Sequence, residues 1–337
     1  MSTKNEDRLR GLLGKFKGKR VAVVGDVMLD RYYWGSVHRV SPEAPVPVVE
    51  VDTESVRFGG AANVANNIQA LGGTPLVVGL VGDDHPGSLF AKMMKDQGLD
   101  GSGIVTDPGR PTTIKTRVIA AGQHVVRIDN ESKQDCAAPV QEQLIGVISS
   151  NIGSIDGIII EDYNKGAITR DVIRSVVALA AEHGKPVTVD PKFNNFFEYR
   201  GVTVFKPNRR EVEEAVGGKL RTLVDVDRAG KQLLGALGAR HVLLTRGEEG
   251  MSLYSADGAV RHFPTTAEVV QDVSGAGDTV IATLTMALVA GGNIAESCIL
   301  ANCAGGVVVA SVGIVPVLPE QLLESALRWV NGREDLS

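Results

Sequence analysis

The fold is decided by the stretch Arg20–Gly25 (RVAVVG), an uninterrupted apolar run followed at once by Asp26. Continuous apolar strands of this kind are typical of parallel sheets that are covered on both faces. Similar runs, separated by helical patterns, occur at 76–81, 156–161, 186–190 and 241–245. The sequence therefore predicts an α/β fold, with a mainly parallel central sheet covered by helices on both faces.

Two regions interrupt this alternation of strands and helices. Residues 31–52 combine three aromatic residues with an alternating VPVVEVD segment, and residues 112–129 form a hairpin pattern that turns near Ala121-Gly122. Both have strand character without crossover helices, so we expect them to form a small β-sheet lid; an extension of the main sheet is the alternative. No linker or repeat divides the chain, which predicts a single domain over residues 1–337.

The composition is that of an ordinary globular protein. Hydrophobic residues make up 43% and charged residues 22% of the 337 residues, which excludes a disordered chain. The net charge of -5 lacks the basic excess of nucleic-acid-binding proteins, so we expect no nucleic-acid partner. The three cysteines show no CxxC spacing, which favours buried thiols in the cytoplasm over a disulfide framework or a zinc site.

One apolar segment could either span a membrane or lie in the protein core. Residues 297–319 carry no charge and are long enough to span a bilayer. Asn302, the Gly305-Gly306 pair and Gly313 interrupt this run, which follows another apolar segment at 279–290. Because a helix that is apolar all round can be buried in a core, we interpret both segments as core helices and expect no membrane association.

The segment 271–279 (QDVSGAGDT) carries the strongest chemical signal. It follows a β-like stretch at 268–270 and leads into a long apolar helix, so its Gly-Ala-Gly opens backbone N–H groups at an anion-attracting helix N-terminus. Asp278 is then either the N-cap of that helix or a catalytic base. The glycines favour the base. An N-cap requires no neighbouring glycine, whereas close approach of a phosphate to the backbone requires glycine or another small residue.

Two familiar nucleotide motifs are excluded for this segment. A P-loop would require GxxxxGK[ST], which the chain lacks. A dinucleotide fingerprint would require a third small residue where Val280 stands.

Two further segments could contribute to a site. In 58–65 (FGGAANVA) Asn63 offers donors and an acceptor for hydroxyl groups, although plain packing of small residues explains the segment equally well. Lys192 follows a predicted strand and can face a phosphate. Asn208 and Glu211 can hold water on Mg²⁺ or form a capping box, and these two roles are compatible.

The chain resembles the ribokinase-type, PfkB-like family of sugar kinases. The likeness rests on GGAANVA at 59–65 and DVSGAGDT at 272–279, and it covers nearly the whole chain; most relatives have Thr in place of Ser274. Five further segments resemble the branch that acts on D-glycero-β-D-manno-heptose 7-phosphate: 25–35, 40–51, 161–166, 190–192 and 245–253. The resemblance implies phosphorylation of the C1 hydroxyl by ATP with Mg²⁺, for ADP-heptose and lipopolysaccharide core synthesis.

The same resemblance implies roles for single residues. Asp278 matches the base, and Gly275, Ala276 and Gly277 match the anion hole for the transferred phosphoryl group. The implied ATP-binding residues are Asn208, Glu211 (through Mg²⁺-bound water), Thr245, Gly247, Asn302 and Gly305, and Asp272 starts a loop that binds K⁺ in some relatives. The implied substrate residues are Asp26, Asp30, Gly59, Gly60, Asn63 and Asp190.

A sugar phosphate also needs cations for its own phosphate. Our candidates are Lys115, Arg117 and Arg127 in the lid, with Arg39, Lys165 and Lys192 as others; a solvated charged hairpin is the alternative reading of the lid residues. The aromatic triplet Tyr32-Tyr33-Trp34 and the apolar run 46–51 predict a homodimer through the lids.

Other functions compete with this interpretation. The chain ends at Ser337 without an HxGH motif, so we expect a kinase without an adenylyltransferase domain. A kinase of the same family for another sugar or a nucleoside is the main rival. A non-catalytic sugar-phosphate sensor on the same fold would be expected to have lost the base or the anion hole, and both are intact.

Overall fold

The structure, a computed structural model, describes residues 3–267, 269–311 and 313–331. The described residues form thirteen β-strands and ten α-helices. The strands are β1 (Arg20–Gly25), β2 (Val27–Val40), β3 (Pro47–Gly60), β4 (Thr74–Val81), β5 (Ile104–Thr106), β6 (Ile114–Ala120), β7 (Gln123–Asn130), β8 (Gly157–Glu161), β9 (Val187–Asp190), β10 (Val204–Phe205), β11 (His241–Thr245), β12 (Met251–Ser255) and β13 (Val260–Phe263). The helices are α1 (Thr3–Gly14), α2 (Ala61–Ala70), α3 (His85–Asp96), α4 (Ala138–Asn151), α5 (Arg170–Glu182), α6 (Arg209–Val216), α7 (Leu223–Leu237), α8 (Ala276–Val289), α9 (Ile294–Val309) and α10 (Pro319–Asn331).

The main sheet has nine strands in the order β13-β12-β11-β10-β9-β8-β1-β4-β5. Its seven strands from β11 to β5 pair in parallel, and β12 and β13 add an antiparallel edge. Within β1, Val21 and Val23 pack into one core cluster while Ala22 and Val24 pack into the other, so both faces of the sheet are covered. The predicted fold class is confirmed.

The second sheet is small and separate, with the strand order β3-β2-β6-β7. Strands β2 and β6 pair in parallel, and the other two pairs are antiparallel. Its turn lies at Ala121 and Gly122, which both have positive φ, as a two-residue hairpin turn requires. The alternative of an extension of the main sheet is wrong, and the strands reach from Val27 to Gly60, beyond the predicted 31–52.

The parallel strands of the main sheet end at one common edge, and polar residues follow four of them. Asp26 and Asp162 come directly after β1 and β8, and Asp190 and Thr245 are the last residues of β9 and β11. Parallel α/β sheets bind their ligands beyond the carboxyl ends of their strands. The fold therefore places the predicted polar residues at one edge.

Helices α8 and α9 are buried on almost all sides, which confirms their interpretation as core helices. Throughout the described ranges, no helix combines the length and the apolar character needed to cross a membrane. The expected β-like stretch before α8 is wrong for Val269 and Val270, which lie in a loop with exposed side chains; Glu268 lies outside the described residues. Because both side chains are exposed, a strand at this position would lack the burial of apolar surface that usually stabilises one.

Candidate active site

A cavity of about 760 Å³ opens beside the N-terminus of α8, a volume typical of a small-molecule site. One part of its lining is apolar and includes Met251, Val280 and Val309. The lining also contains the predicted residues Asp190, Lys192, Asn208, Thr245, Gly247, Gly275, Ala276, Gly277, Asp278, Asn302 and Gly305. The tertiary structure thus brings the predicted base, anion hole and most of the predicted ATP site to one cavity.

Asp278 is not the N-cap of α8. Gly275 occupies the cap position with φ 75°, in the left-handed region that favours glycine, and no side chain caps the helix there. Asp278 is the third residue of the helix, inside the positive end of the helix dipole. The N-cap alternative is therefore wrong, and the carboxylate is left available to the cavity.

Both oxygens of the buried Asp278 carboxylate accept a hydrogen bond. Asn63 donates from Nδ2 to Oδ2 at 2.6 Å, and the hydroxyl of Tyr163 donates to Oδ1 at 2.9 Å. Burial raises the pKa of Asp278 to about 6, although these two hydrogen bonds lower it. A carboxylate with a raised pKa near 6 is ionised at neutral pH and still basic enough to take a proton.

Two more buried carboxylates lie beside the base. One carboxylate oxygen each from Glu161, Asp190 and Asp278 lies within 4.8 Å of the others, and Lys206 places Nζ 2.7 Å from Oδ2 of Asp190. Burial, then Asp190 and Asp278, raise the pKa of Glu161 well above its usual range. Burial lowers the pKa of Lys206, but Asp190, Glu211 and Glu161 together raise it and the net shift is upward, so one ammonium offsets part of the negative charge of this cluster.

The glycine at position 277 opens α8 onto this cluster. A Cβ at Gly277 would lie 3.5 Å from Oδ2 of Asp190 and 3.9 Å from Nζ of Lys206. These are ordinary contact distances, so a larger residue would fit the fold. The missing methyl group instead leaves space for a ligand to approach the backbone N–H groups of the helix start.

Asn208 and Glu211 form the predicted capping box of α6. Asn208 Oδ1 accepts from the N–H of Glu211 at 2.9 Å, and Glu211 accepts from the N–H of Asn208 at 2.8 Å. Lys192 contacts the other oxygen of Glu211 and lies 5.3 Å from the ring centroid of Tyr163. The capping-box interpretation is confirmed, and the box also holds Lys192 at the cavity.

Asp26 ties down the loop that follows β8. Its oxygens accept from the backbone N–H groups of Tyr163, Lys165 and Ala167, at 2.8, 3.0 and 3.0 Å. These bonds fix the backbone of the loop that carries Tyr163. The substrate role expected for Asp26 remains a prediction.

The remaining predicted substrate residues lie at the root and on the strands of the small sheet. Gly59 is packed against Asp30, and Asp30 forms an ion pair with Arg117, whose guanidinium lies 5.2 Å from the ring centroid of Tyr32. Gly60 begins the step from β3 into α2, and Arg127 pairs with Asp129 on an exposed surface. The cavity described above does not include these residues among its described lining.

Lys115 differs from the other basic residues of the small sheet. It is half-buried, and it forms no ion pair with another described residue. Burial, then the neighbouring Lys165, lower the pKa of Lys115. An anion beside Lys115 would offset both effects.

Asp272 joins two loops at the entrance to α8. Its carboxylate accepts from the N–H of Ser274 at 2.9 Å and from the N–H of Gly313 at 3.0 Å. These bonds lower the pKa of Asp272, although burial raises it. The residue therefore stays ionised and holds the loop before the predicted anion hole in place.

Three residues of the site were not predicted from the sequence: Tyr163, Glu161 and Lys206. Tyr163 and Glu161 belong to the segment 161–166, which carries part of the resemblance, and Lys206 lies two residues before the predicted ATP-binding residue Asn208. Glu161 and Lys206 are a buried acid and a buried base, which are rare unless they are paired or functional. Burial cannot be read from the sequence at single residues.

The fold and the site define a sugar-kinase-like α/β protein. Among solved structures, phosphofructokinase-2 from Escherichia coli in complex with fructose-6-phosphate matches with a TM-score of 0.75 and 16% identity, covering 93% of this chain and 99% of that one. Ribokinase from Arabidopsis thaliana, complexed with ribose and ATP, matches with a TM-score of 0.72 and 20% identity, covering 92% and 99%. At these identities the likeness concerns the fold.

The family model for pfkB family carbohydrate kinases matches residues 19–321, and the chain belongs to this family. The bifunctional protein HldE of Geobacter metallireducens is 45% identical over 303 residues, which cover 90% of this chain and 62% of that protein. The chain thus spans about three fifths of the length of that curated relative. Carbohydrate kinases of this family use ATP and a divalent metal.

Proposed function

We propose that this protein transfers the γ-phosphate of ATP to the C1 hydroxyl of D-glycero-β-D-manno-heptose 7-phosphate, in the synthesis of ADP-heptose for the lipopolysaccharide core. The observation that carries the transfer is the buried Asp278 carboxylate, which stands at the cavity beside the open helix start formed by Gly275, Ala276 and Gly277. The carboxylate can take a proton from the acceptor, and the backbone N–H groups of the helix start can stabilise the negative charge of the phosphoryl group. Phosphoryl transfer needs both groups next to each other.

In this mechanism the acceptor hydroxyl lies next to Asp278 and gives its proton to the carboxylate as it attacks the γ-phosphorus. The bond from that phosphorus to the bridging oxygen of ADP breaks, and ADP leaves. The backbone N–H groups at the start of α8 face the charge on the transferred group, and the buried ammonium of Lys206 lies near Gly277. The apolar lining around Met251 and Val280 suits the adenine ring.

Mg²⁺ fits this site when it is held through water. Mg²⁺ prefers oxygen ligands and keeps much of its water shell beside phosphates. Among the three buried carboxylates Lys206 already supplies a cation, so direct ligation there would place two cations together. Glu211 retains free lone pairs beyond its two hydrogen bonds and would hold water on the metal, which would neutralise phosphate charge when bound.

The heptose acceptor is supported by the resemblance of several segments to heptose 7-phosphate kinases. Two of these segments, 25–35 and 161–166, meet in the structure, because Asp26 accepts hydrogen bonds from the backbone of Tyr163 and Lys165. The segments that carry the resemblance therefore build the surroundings of the base. Lys115 is our first candidate for the distal phosphate, since it is half-buried and no acidic residue that the structure describes forms an ion pair with it.

We also propose a homodimer through the small sheets. Trp34, Val51, Val126 and Ile128 on this sheet are exposed, the last with 56% of its surface accessible. A small sheet with this many exposed apolar residues is covered most simply by a second copy. The ATP requirement and the three buried, unpaired cysteines suit a cytoplasmic protein.

The test of this function is ADP release by the purified protein with Mg-ATP, using the heptose 7-phosphate in parallel with ribose, fructose 6-phosphate and adenosine. Turnover with the heptose alone, abolished in Asp278→Asn, is the expected result. Turnover with another acceptor would retain the kinase and overturn the substrate. Runs in KCl and in NaCl decide whether the Asp272 loop needs K⁺.

A further inference from the structure

Tyr163 is the residue that joins the loop after β8 to the base. Its hydroxyl donates to Oδ1 of Asp278 at 2.9 Å, and its side chain lines the cavity. Burial, then Asp278, raise the pKa of Tyr163 well above its usual range. The phenol therefore remains protonated at working pH and acts as a donor to the carboxylate.

The backbone of Tyr163 is held as firmly as its hydroxyl. Three N–H groups of this loop bond to Asp26, and the N–H of Asn164 donates to Oδ1 of Asp162 at 2.7 Å. Asn164 has φ 53°, in the left-handed region that Asn adopts more readily than most residues other than glycine, and its N–H bond to Asp162 fits this turn. Two buried carboxylates thus fix the loop whose side chain meets the base.

We propose that Tyr163 is a positioning residue that holds the Asp278 carboxylate in the orientation required to take a proton from the acceptor hydroxyl. Tyr163 directs Oδ1, while Asn63 holds Oδ2 from α2. Asn63 is also one of the predicted sugar-binding residues. When the sugar binds and Asn63 turns to a sugar hydroxyl, Tyr163 keeps the carboxylate from rotating.

The groups that face Asp278 come from several elements, and they act on its pKa in opposite directions. The groups are Asn63 of α2, Glu161 of β8, Tyr163, Asp190 of β9 and Lys206. Asn63, Tyr163 and Lys206 lower the pKa of Asp278, whereas burial and Asp190 raise it. Loss of the Tyr163 hydroxyl therefore leaves the base more easily protonated.

The inference rests on the proposed kinase function, and it is tested with Tyr163→Phe. We expect kcat to fall about 10-fold to 100-fold, because a hydrogen bond to a charged group is lost. The acidic limb of the kcat profile should move upward by about one pH unit, while the KM for ATP stays within about twofold. A purely structural role would not move the acidic limb.

The matched control is Tyr254→Phe. The Tyr254 side chain lies in the core, and its hydroxyl donates to Oδ1 of Asp227 at 2.9 Å, not to the base or to the carboxylates that hold the loop after β8. This variant loses a comparable hydrogen bond to a carboxylate, so it should lower stability while the acidic limb stays in place. Equal movement of the limb in both variants, or no movement in Tyr163→Phe, overturns the proposal.

A readout without substrate separates this inference from the choice of acceptor. Aspartate labelled with ¹³C at the carboxyl carbon is titrated by NMR, and the Asp278 signal is assigned by its loss in Asp278→Asn. Tyr163→Phe should raise the midpoint of this signal, and Tyr254→Phe should not. If no acceptor is turned over, the proposed function fails, but an unchanged midpoint in Tyr163→Phe is what would overturn the positioning role.

Discussion

Lys206 and Asp190 form a buried ion pair, with Nζ of Lys206 2.7 Å from Oδ2 of Asp190, next to the open face of Gly277. The side chain of Lys206 is 3% exposed, so its charge is almost completely removed from water. A buried charge is tolerated only with a partner, and here the partner belongs to a group of three carboxylates. The pair therefore supports both the stability of the fold and the charge balance of the site.

Replacement of Lys206 by Met should lower the free energy of unfolding by about 3 to 5 kcal/mol, because Asp190 is left without its cation. Urea denaturation at pH 7 measures this cost. The control is Lys192→Met, whose ion pair with Glu211 is 31% exposed on the lysine side and should cost about 1 kcal/mol. Adding Asp190→Asn to Lys206→Met should recover part of the loss. Equal stability of the two single variants would contradict this account.

Asp278→Asn should abolish turnover and yet stabilise the protein at neutral pH. The folded-state pKa of about 6 lies above the ordinary value of 3.8, so the folded protein favours the protonated carboxyl. The free energy of unfolding therefore falls as the pH rises from about 4 through 6, where Asp278 ionises in the fold. Removing the charge should gain about 1 to 3 kcal/mol at pH 8 and little at pH 4. Melting curves of both proteins across this range measure the difference. A gain that does not depend on pH would refute the assigned cause.

Gly277→Ala should fold normally and lose activity. The new methyl group would make only ordinary contacts, yet it would stand where a phosphate approaches the helix start. We expect turnover to fall about 10²-fold with a melting temperature equal to or slightly above that of the parent. Gly146→Ala is the control, since it lies in α4 with nothing within 4 Å and should leave turnover unchanged. A normal rate in Gly277→Ala would exclude the anion hole.

Lys115→Met should raise the KM for the sugar phosphate about tenfold or more and leave the KM for ATP nearly unchanged, because Lys115 is half-buried and forms no ion pair within the described ranges. Lys133→Met serves as the control, because Lys133 is exposed and paired with Glu131. Steady-state kinetics with both substrates measure the effect. If Lys115→Met and Lys133→Met had similar KM values for the sugar phosphate, Lys115 would not bind the distal phosphate, and Arg117 or Lys192 would be tested next.

Sedimentation at micromolar concentration should show a dimer. A double variant, Val126→Lys with Ile128→Lys, should shift it to a monomer, since it places two charges on the exposed apolar side of β7. The kinase fold should remain intact in this variant by circular dichroism. A monomeric parent protein would remove the dimer proposal.

The main sheet, and the placement of Asp278 at an open helix start, could be predicted from local patterns. An apolar run such as Arg20–Gly25 predicts a buried strand. Gly-Ala-Gly before Asp278 predicts a helix N-terminus with accessible backbone N–H groups. The edge strands β12 and β13 were not predicted, because short antiparallel strands lack a continuous apolar run. The β-like stretch before α8 was wrong for the opposite reason, since apolar residues there are exposed.

The residues that surround Asp278 could not be predicted from local patterns. Asn63 and Tyr163 meet Asp278 across 215 and 115 residues of chain, and Lys206 meets Asp190 only after β10 has paired with β9. A local pattern records the type and spacing of residues but not which distant segments become neighbours. The sequence by itself determined the layered α/β fold and the helix start, and it singled out the carboxylate that we propose as the base. The tertiary structure decided what surrounds that base, because burial and long-range contacts, which set its orientation and its pKa, exist only in the folded chain.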